Sequence, residues 1–460
     1  MKIIFIENQI PHNDQIPEKV FGCSYTIYPT PNLATLYNAA VLRDGGHNVS
    51  IFKVRSTKDI QKIPRAEIYL IHSVLLSLKS DIMIGSKLKN NVFYFGPAPT
   101  LFTEKFLQNK RSFVLRGETE HFIAAAIEFP QKTLGVSYLE DKHIIHNKSA
   151  GIIEDLDRIP FPARELDGDS FSNPKLGMGK FTNVLASRGC ANQCKFCVPN
   201  SISWARELEW KKFNEGKPPV KTRSAENVIK ELKLLKKQKY EEISFIDDQF
   251  IVGKNRTISI LEAIEKIKLD FGILARADKL NDEEIVRKLA CAKCKYVDIG
   301  AESFDQDVLD DIRKGIKVET IINSVKLLAK HKVEPKLNIM FGTSSKETKK
   351  IIASTIKKTL SLPTNYCMFS IATPFPGTEL EKEAAKNNWI IENKEFNPAG
   401  ISSLSYPHLS NVELERIVRS ANYRFYLRPR VILNQLQKVK SVKSAKLLFK
   451  MIKKWRNNLR

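Results

Sequence analysis

Ser187-Arg188-Gly189-Cys190-Ala191-Asn192-Gln193-Cys194-Lys195-Phe196-Cys197 is the stretch from which the rest of the chain is read. Its three cysteines have the spacing C-x3-C-x2-C and follow a short apolar run at 182–186 that reads as a strand. A tight loop leaving a strand can fold three thiolates round one metal centre, and soft sulfur ligands suit iron–sulfur clusters or zinc. Zinc wants a fourth Cys or His nearby, and none lies within the next few residues. Three ligands are one short of a set for four irons, which would leave one iron open to a substrate or cosubstrate. Cys190, Cys194 and Cys197 are the candidate metal ligands.

Working outward, 460 residues predict two or three domains, each with its own core. A hydrophobic content of 42% with mixed charge reads as soluble and globular. No apolar run reaches the ~18 residues of a membrane span; the longest, 68–78, is interrupted by His72 and Ser73. The first residues turn acidic and polar too soon for a signal peptide and read as a first strand. Seven cysteines, three of them clustered, fit a reducing compartment better than a disulfide framework, so a cytoplasmic protein is expected.

The net charge is +23, and twelve Lys/Arg with no Asp or Glu lie between 424 and 460. Such a field suggests nucleic acid or an anionic membrane surface. Nucleic acid is disfavoured, because no aromatic stacking strings or recognition-module signatures accompany the charge. Within 446–460, Leu448, Met451, Ile452, Trp455 and Leu459 share one helical face, with Lys446, Lys450, Lys453 and Lys454 on the other. A basic amphipathic helix of this kind fits the inner face of a membrane or, equally, docks on the protein with its lysines solvated.

In the first 150 residues, strand-like runs at 2–7, 49–54, 68–74, 92–95 and 113–115 alternate with helical patterns. The helix expected over 33–43 aligns Leu33, Leu36, Tyr37, Ala40 and Val41, and Gly45-Gly46 supplies its stop. These repeats argue for a parallel, doubly wound sheet, whose ligands sit at the carboxyl ends of the strands. The loops there are Asn8 onward, His72-Ser73, Gly96-Pro97-Ala98-Pro99 and Arg116-Gly117-Glu118. No G-x-G-x-x-G follows the first strand, so a dinucleotide is a weak reading. Residues 134–138 and 143–146 read as a hairpin, and its histidines are assigned no chemistry. Residues 148–180 have linker composition. From 181 to about 375, strand and helix patterns alternate again, giving six β/α units whose active site belongs at the strand carboxyl ends.

The cysteine spacing, with the aromatic Phe196 before the last ligand, resembles the cluster loop of radical S-adenosylmethionine (SAM) enzymes. The preceding segments Pro31-Asn32-Leu33-Ala34, Ala40-Val41-Leu42-Arg43-Asp44-Gly45-Gly46-His47, Phe95-Gly96-Pro97-Ala98-Pro99-Thr100 and Val114-Leu115-Arg116-Gly117-Glu118 are similar to the cobalamin-binding domain ahead of many such cores. Leu156-Asp157-Arg158-Ile159-Pro160-Phe161-Pro162-Ala163-Arg164 resembles the connector in the same family, and matches extend over roughly 1–380.

The resemblance implies an α/β chain of four parts. They are a Rossmann-like cobalamin-binding domain (1–147), a linker (148–180), a partial (β/α)6 TIM-type radical SAM core (181–380) and a basic helical C-terminal region (381–460). It implies a [4Fe–4S] cluster on the three cysteines, with SAM near Phe196, Asp247, Asp248, Arg276, Glu302 and Gly342. Cobalamin would lie near Ser73, Gly96, Gly117 and Glu118. Two departures matter. The family's G-L-P-G-E-T appears here only as Gly342 and Glu347 without the Leu-Pro-Gly between, and no D-x-H-x-x-G supplies an axial histidine, so His47 and His72 are expected to be structural. Cys291 and Cys294 form a C-x2-C without a second pair, so an auxiliary cluster is not expected; Cys23 and Cys367 read as small buried hydrophobes.

The implied activity is a cobalamin-dependent methyl transfer to an unactivated carbon through a 5′-deoxyadenosyl radical. The electron donor would be a flavodoxin or ferredoxin. The basic tail favours a hydrophobic, lipid or isoprenoid-like substrate. Radical cyclisation of a tetrapyrrole ester or carbon–carbon coupling of lipids would use the same parts. A tRNA methylthiotransferase should carry a second cysteine triad near its start, whereas only Cys23 precedes Cys190. A non-catalytic cobalamin sensor would not need the cluster loop.

Overall fold

The computed structural model describes residues 1–12, 15–26, 29–169, 171–392 and 400–437. Lys2–Asn8 (β1), Asn48–Val54 (β2), Ile68–His72 (β3), Asn91–Phe95 (β4) and Ser112–Leu115 (β5) form a parallel sheet in the order β2-β1-β3-β4-β5. This is the flavodoxin-like winding, with its switch point between β1 and β3. Along each strand alternate side chains enter opposite cores. Ile3, Phe5, Leu70 and Phe93 pack on one face with Leu36 and Ala40 of Leu33–Asp44 (α1), and Ile4, Ile6, Tyr69 and Ile71 pack on the other. Burial on both faces explains why these strands read as continuous apolar runs. Helix α1 begins where the Asn32 side chain accepts from Thr35 N and ends at Gly45-Gly46, with Gly46 at φ +83. The third strand stops at His72, short of the expected 74, because a tight turn begins at Leu75. Val136–Glu140 (β6) and His143–His146 (β7) form the expected hairpin and extend the sheet antiparallel from β5.

Residues 148–169 are pinned to both halves of the molecule. The Arg164 guanidinium reaches Glu231 at 2.7 Å, Thr182 Oγ1 at 2.9 Å and Asn183 O at 2.7 Å. Lys53 on β2 pairs with Asp167 and, at 2.7 Å, with Asp169.

The second sheet has six parallel strands in sequence order: Phe181–Val184 (β8), Glu242–Phe245 (β9), Asp270–Ala275 (β10), Cys294–Glu302 (β11), Glu334–Phe341 (β12) and Tyr366–Ile371 (β13). The sheet is an open, partial barrel. Between β8 and β9 lies Ser201–Trp210 (α2), which sequence periodicity does not announce. Every residue from Ser201 to Glu209 is buried, polar ones included, so the helix has no apolar stripe to recognise. Helices Ala225–Lys237 (α3), Lys254–Ile267 (α4), Glu283–Cys291 (α5), Val318–Lys330 (α6) and Lys349–Ser361 (α7) cover the outer face and share one core with the strands.

Asn411–Tyr426 (α8) packs on β13, where Tyr426 Oη donates to Cys367 O at 2.7 Å and Phe425 meets Phe369 at 6.0 Å. Pro429–Gln437 (α9) follows. The amphipathic pattern at 446–460 lies outside the described residues. Among the described residues no helix is long and apolar enough to cross a membrane.

Candidate functional site

The cysteine loop leaves β8 at the carboxyl edge of the barrel, and the chain's own carboxylates hold both of its ends. Asp247, just past β9, accepts from Ala186 N at 3.1 Å and from Ser187 Oγ. Asp248 accepts from Gly189 N at 3.1 Å, Asn200 N at 2.7 Å and Asn200 Nδ2 at 3.1 Å. One carboxylate thus grips the backbone immediately before Cys190 and shortly after Cys197. Burial raises both acids, Asp247 to about 6, while the bonds from Ser187 and Ala186 oppose the rise.

Within the loop, Cys197 N donates to Cys194 O at 3.2 Å, and Asn192 Nδ2 lies 3.3 Å from Cys190 Sγ. All three cysteines are half-buried. Phe196 packs against the barrel core. Burial pushes the Cys197 thiol up to about 12, partly offset by Lys217 nearby. An open cleft reaches the loop between Cys194, Cys197, Trp204, Lys217, Gly377 and Glu379. Among the described residues no three His, Cys, Asp or Glu side chains converge on a single ion.

The other residues expected to face SAM lie along the same edge. Arg276 follows β10, with its Nε 2.9 Å from Asp278 and its Nη2 donating to Lys314 O at 2.9 Å. Glu302 ends β11 at φ +62 and accepts from Lys314 Nζ at 2.8 Å. Gly342 follows β12 at φ +74; its N–H donates to Glu347 and its carbonyl accepts from Tyr406 Oη at 2.9 Å. The side-chain hydroxyls of Thr343 and Thr373, past β12 and β13, are buried without a partner.

The carboxyl edge of the N-terminal sheet is built differently. Ser73 is 0% exposed and its Oγ has no partner; the same holds for both ring nitrogens of His72, 2% exposed. Burial, aided by Lys19, holds His72 well below the ordinary histidine value, so the ring is neutral. Gly96, at φ +105, lies so close to this ring that a Cβ there would sit 2.6 Å from His72 Cδ2 and 2.8 Å from Ser73 O. The sequence expects His72 to be structural rather than a ligand. The fold places it at the switch point as a buried imidazole whose two nitrogens have no hydrogen-bond partner.

Gly117 and Glu118 face the other domain. A Cβ on Gly117 would meet Glu209 Cβ at 3.1 Å. Glu118 accepts from Arg188 Nη1 at 2.8 Å and Ile153 N at 2.9 Å, and Arg206 Nε lies 3.2 Å away. Arg188 also reaches Glu120 at 2.8 Å, and Arg116 pairs with Glu209 of α2 at 3.1 Å. This buried ionic seam ties the loop after β5 to the residues just ahead of Cys190. No periodic signal marks Arg188, Arg206 or Glu209. Only the charged residues scattered through an otherwise apolar Ile202, Trp204, Ala205 and Leu208 could have hinted at them.

Residues 184–352 match the family model of the Radical SAM superfamily. That segment is a radical SAM domain. The chain is 27% identical to an uncharacterized methyltransferase of Pyrococcus horikoshii over 95% of each chain. The radical S-adenosylmethionine methyltransferase TsrM of Kitasatospora setae, with cobalamin and a [4Fe-4S] cluster bound, superposes with a TM-score of 0.64 at 15% identity, over 90% of this chain and 81% of TsrM. The cobalamin-dependent S-adenosylmethionine radical enzyme OxsB, with aqua-cobalamin and S-adenosylmethionine bound, gives 0.61 at 17% identity, over 93% of this chain and 62% of OxsB. At these identities the likeness is one of fold, and it spans both sheets.

Proposed function

We propose that this chain is a cobalamin-dependent radical SAM methyltransferase acting on an unactivated carbon of an organic substrate. The observation that carries the proposal is the pairing of two strand edges. One presents three cysteines on a loop gripped by Asp247 and Asp248, and the other presents His72 and Ser73, buried, without partners and packed closely against Gly96. Buried polar groups are normally satisfied, so two orphaned ones at the switch point of the sheet, where ligands of such folds bind, fit a ligand with polar edges. The full-length likeness to a methyltransferase and the corrinoid held by both structural neighbours support the same reading.

When bound, a [4Fe–4S] cluster would supply the electron that cleaves SAM to a hydrogen-abstracting radical, and cobalamin would carry the methyl group. Cys190, Cys194 and Cys197 would hold the cluster. Asp248 fixes the loop at both ends, and Glu302, Arg276 and Gly342 stand along the edge where SAM would lie. Ser73, His72 and Gly96 would receive cobalamin. Arg188, Glu118 and Glu120 keep the two edges in register and exclude water from the seam between them. An electron donor of the flavodoxin or ferredoxin type is part of the proposal, whereas the preference for a lipid-like substrate rests on a tail outside the described residues.

Anaerobic purification and reconstitution, followed by iron, sulfide and corrinoid analysis, tests this assignment. The expected protein binds four irons and one corrinoid and, with dithionite, releases 5′-deoxyadenosine from SAM. Cys194→Ala should abolish that release. Methyl-labelled SAM should label the product; deoxyadenosine without labelled product would instead favour cyclisation or coupling. Full activity in Cys194→Ala would sink the cluster assignment.

A further inference from the structure

Below the strand ends, the inner face of the barrel sheet carries a polar cluster that none of the roles above uses. Val297, Ile299, Leu337, Ile339 and Phe369 pack outward with the helices. Their neighbours Tyr296, Asp298, Lys336, Asn338, Tyr366 and Met368 therefore turn inward. The parallel register sets Asp298 beside Lys336, Lys336 beside Tyr366, and Asn338 beside Met368.

Asp298 Oδ1 accepts from Lys336 Nζ and, at 3.0 Å, from Asn338 Nδ2. Its Oδ2 lies 3.5 Å from Lys175 Nζ, which comes from the segment before β8 and stands 5.1 Å over the Tyr296 ring. Two ammonium groups share this carboxylate. Burial alone would raise Asp298, but Lys336 and Lys175 together hold it below its ordinary value. Burial pulls Lys336 down to about 8 despite Asp298 beside it. Lys336 Nζ also donates to Asn338 Oδ1 at 3.3 Å, but among the described residues Asp298 is the one carboxylate that balances the charges of both Lys336 and Lys175.

Asp298 precedes Glu302 by four residues, which at ~3.3 Å per residue puts the cluster roughly 13 Å below the rim. The inner face between them carries Asn338, Met340 and Met368, and Met368 is 49% exposed, so this wall is open rather than filled.

On the footing of the radical SAM reading above, we propose that this cluster receives the carboxylate of the substrate. Lys336, with Lys175 and the hydroxyl of Tyr366 at the same level, holds the head group, and an apolar body runs past Met368 and Met340 to the rim. A single negative charge beside Asp298 matches the two ammonium groups. A phosphate dianion would bury excess negative charge against the same carboxylate.

Isothermal titration of the reconstituted, SAM-loaded enzyme with octanoate, octanol and octyl phosphate tests the assignment. Octanoate should bind about tenfold tighter than octanol, the scale of one hydrogen-bonded charge. Lys336→Met should erase that preference and leave octanol binding unchanged. Lys336→Gln, which keeps a polar side chain, should lose the same preference if Met disturbs folding. Asp298→Asn should strengthen octanoate binding, because both lysines then lack their shared anion. Equal affinity for octanoate and octanol, no binding of either, or an intact preference in both Lys336 variants would overturn the proposal. Tighter binding of octyl phosphate would overturn the choice of carboxylate. Release of 5′-deoxyadenosine in the same preparation tests the radical SAM reading without any acid present, so the two failures are separable.

Discussion

The two strand edges that face each other in this enzyme solve the same problem in opposite ways. On the barrel edge, Asp247 and Glu302 are buried, Asp248 is half-buried, and all three are partnered by Ala186, Ser187, Gly189, Asn200 and Lys314 of this chain. On the N-terminal edge, His72 and Ser73 are buried and have nothing to bond to. An unsatisfied buried polar group costs about 1–3 kcal/mol, whereas a paired one stabilises by about 1 kcal/mol. The first edge is therefore self-sufficient and holds its loop ready. The second is under-satisfied by its own chain. Past β12 and β13, Thr343 and Thr373 share the second character, so even the barrel edge changes from closed to open along its length.

The largest effect should come from opening the closed edge. Asp248→Ala removes three hydrogen bonds to a half-buried carboxylate, each about 1.5–3 kcal/mol, and frees both ends of the cysteine loop. Iron content after reconstitution should fall to about a tenth of wild type or less at that energetic scale, while Asp248→Asn, which keeps an acceptor, should retain a substantial fraction. Next comes the seam between the edges. Arg188→Ala leaves Glu118 and Glu120 facing each other without their shared partner, and stranding a buried charge costs about 3–5 kcal/mol. The melting temperature should drop, and protease should cut residues 148–169 faster than in wild type. If Arg188→Ala melts like wild type, the two edges are not held by this seam.

The division between what could be read from the chain and what could not follows the same contrast. Strands β1 to β5 and β8 to β13 were legible because they are short apolar runs separated by helices with an apolar stripe, as in Ala225–Lys237. The cysteine loop was legible because three thiols at fixed spacing carry their chemistry locally. The seam was not, since Arg188 meets Glu118 across 70 residues of sequence and Arg206 meets it across 88. Helix α2 was missed for the same reason: its polar residues are buried by partners in other elements, so it shows no stripe. The missing partner of His72 was not legible either, because lack of a partner is a property of packing and leaves no trace in spacing.

A smaller, pH-dependent effect tests the open stretch beyond β12. Glu347 accepts from Gly342 N and Thr343 N through one oxygen, while the other is buried without a partner. Burial raises its carboxyl to about 8, against those two bonds. Folding therefore takes up a proton between the unfolded value near 4.5 and about 8. Its contribution is complete below that window and is lost as pH rises through it, by at most about 1.4 kcal/mol per pH unit. Melting temperatures of wild type should fall between pH 6 and 8 more steeply than those of Glu347→Gln. Parallel curves would show that this acid is ionised in the folded protein.

The smallest effect is the most telling, because its sign reverses between two measurements. Ser73→Ala deletes a buried hydroxyl that bonds to nothing, so without corrinoid the variant should be as stable as wild type or up to about 1 kcal/mol more stable. If the hydroxyl exists to meet the bound corrinoid, the same substitution should weaken binding of hydroxocobalamin by about 5- to 10-fold, the worth of one hydrogen bond. A hydroxyl that only fills space would leave affinity unchanged, and one with a hidden partner would cost stability in the corrin-free protein. Only an edge completed by its ligand makes the variant firmer when empty and poorer when filled. Thermal melts without corrinoid, set beside equilibrium titrations with it, separate these outcomes.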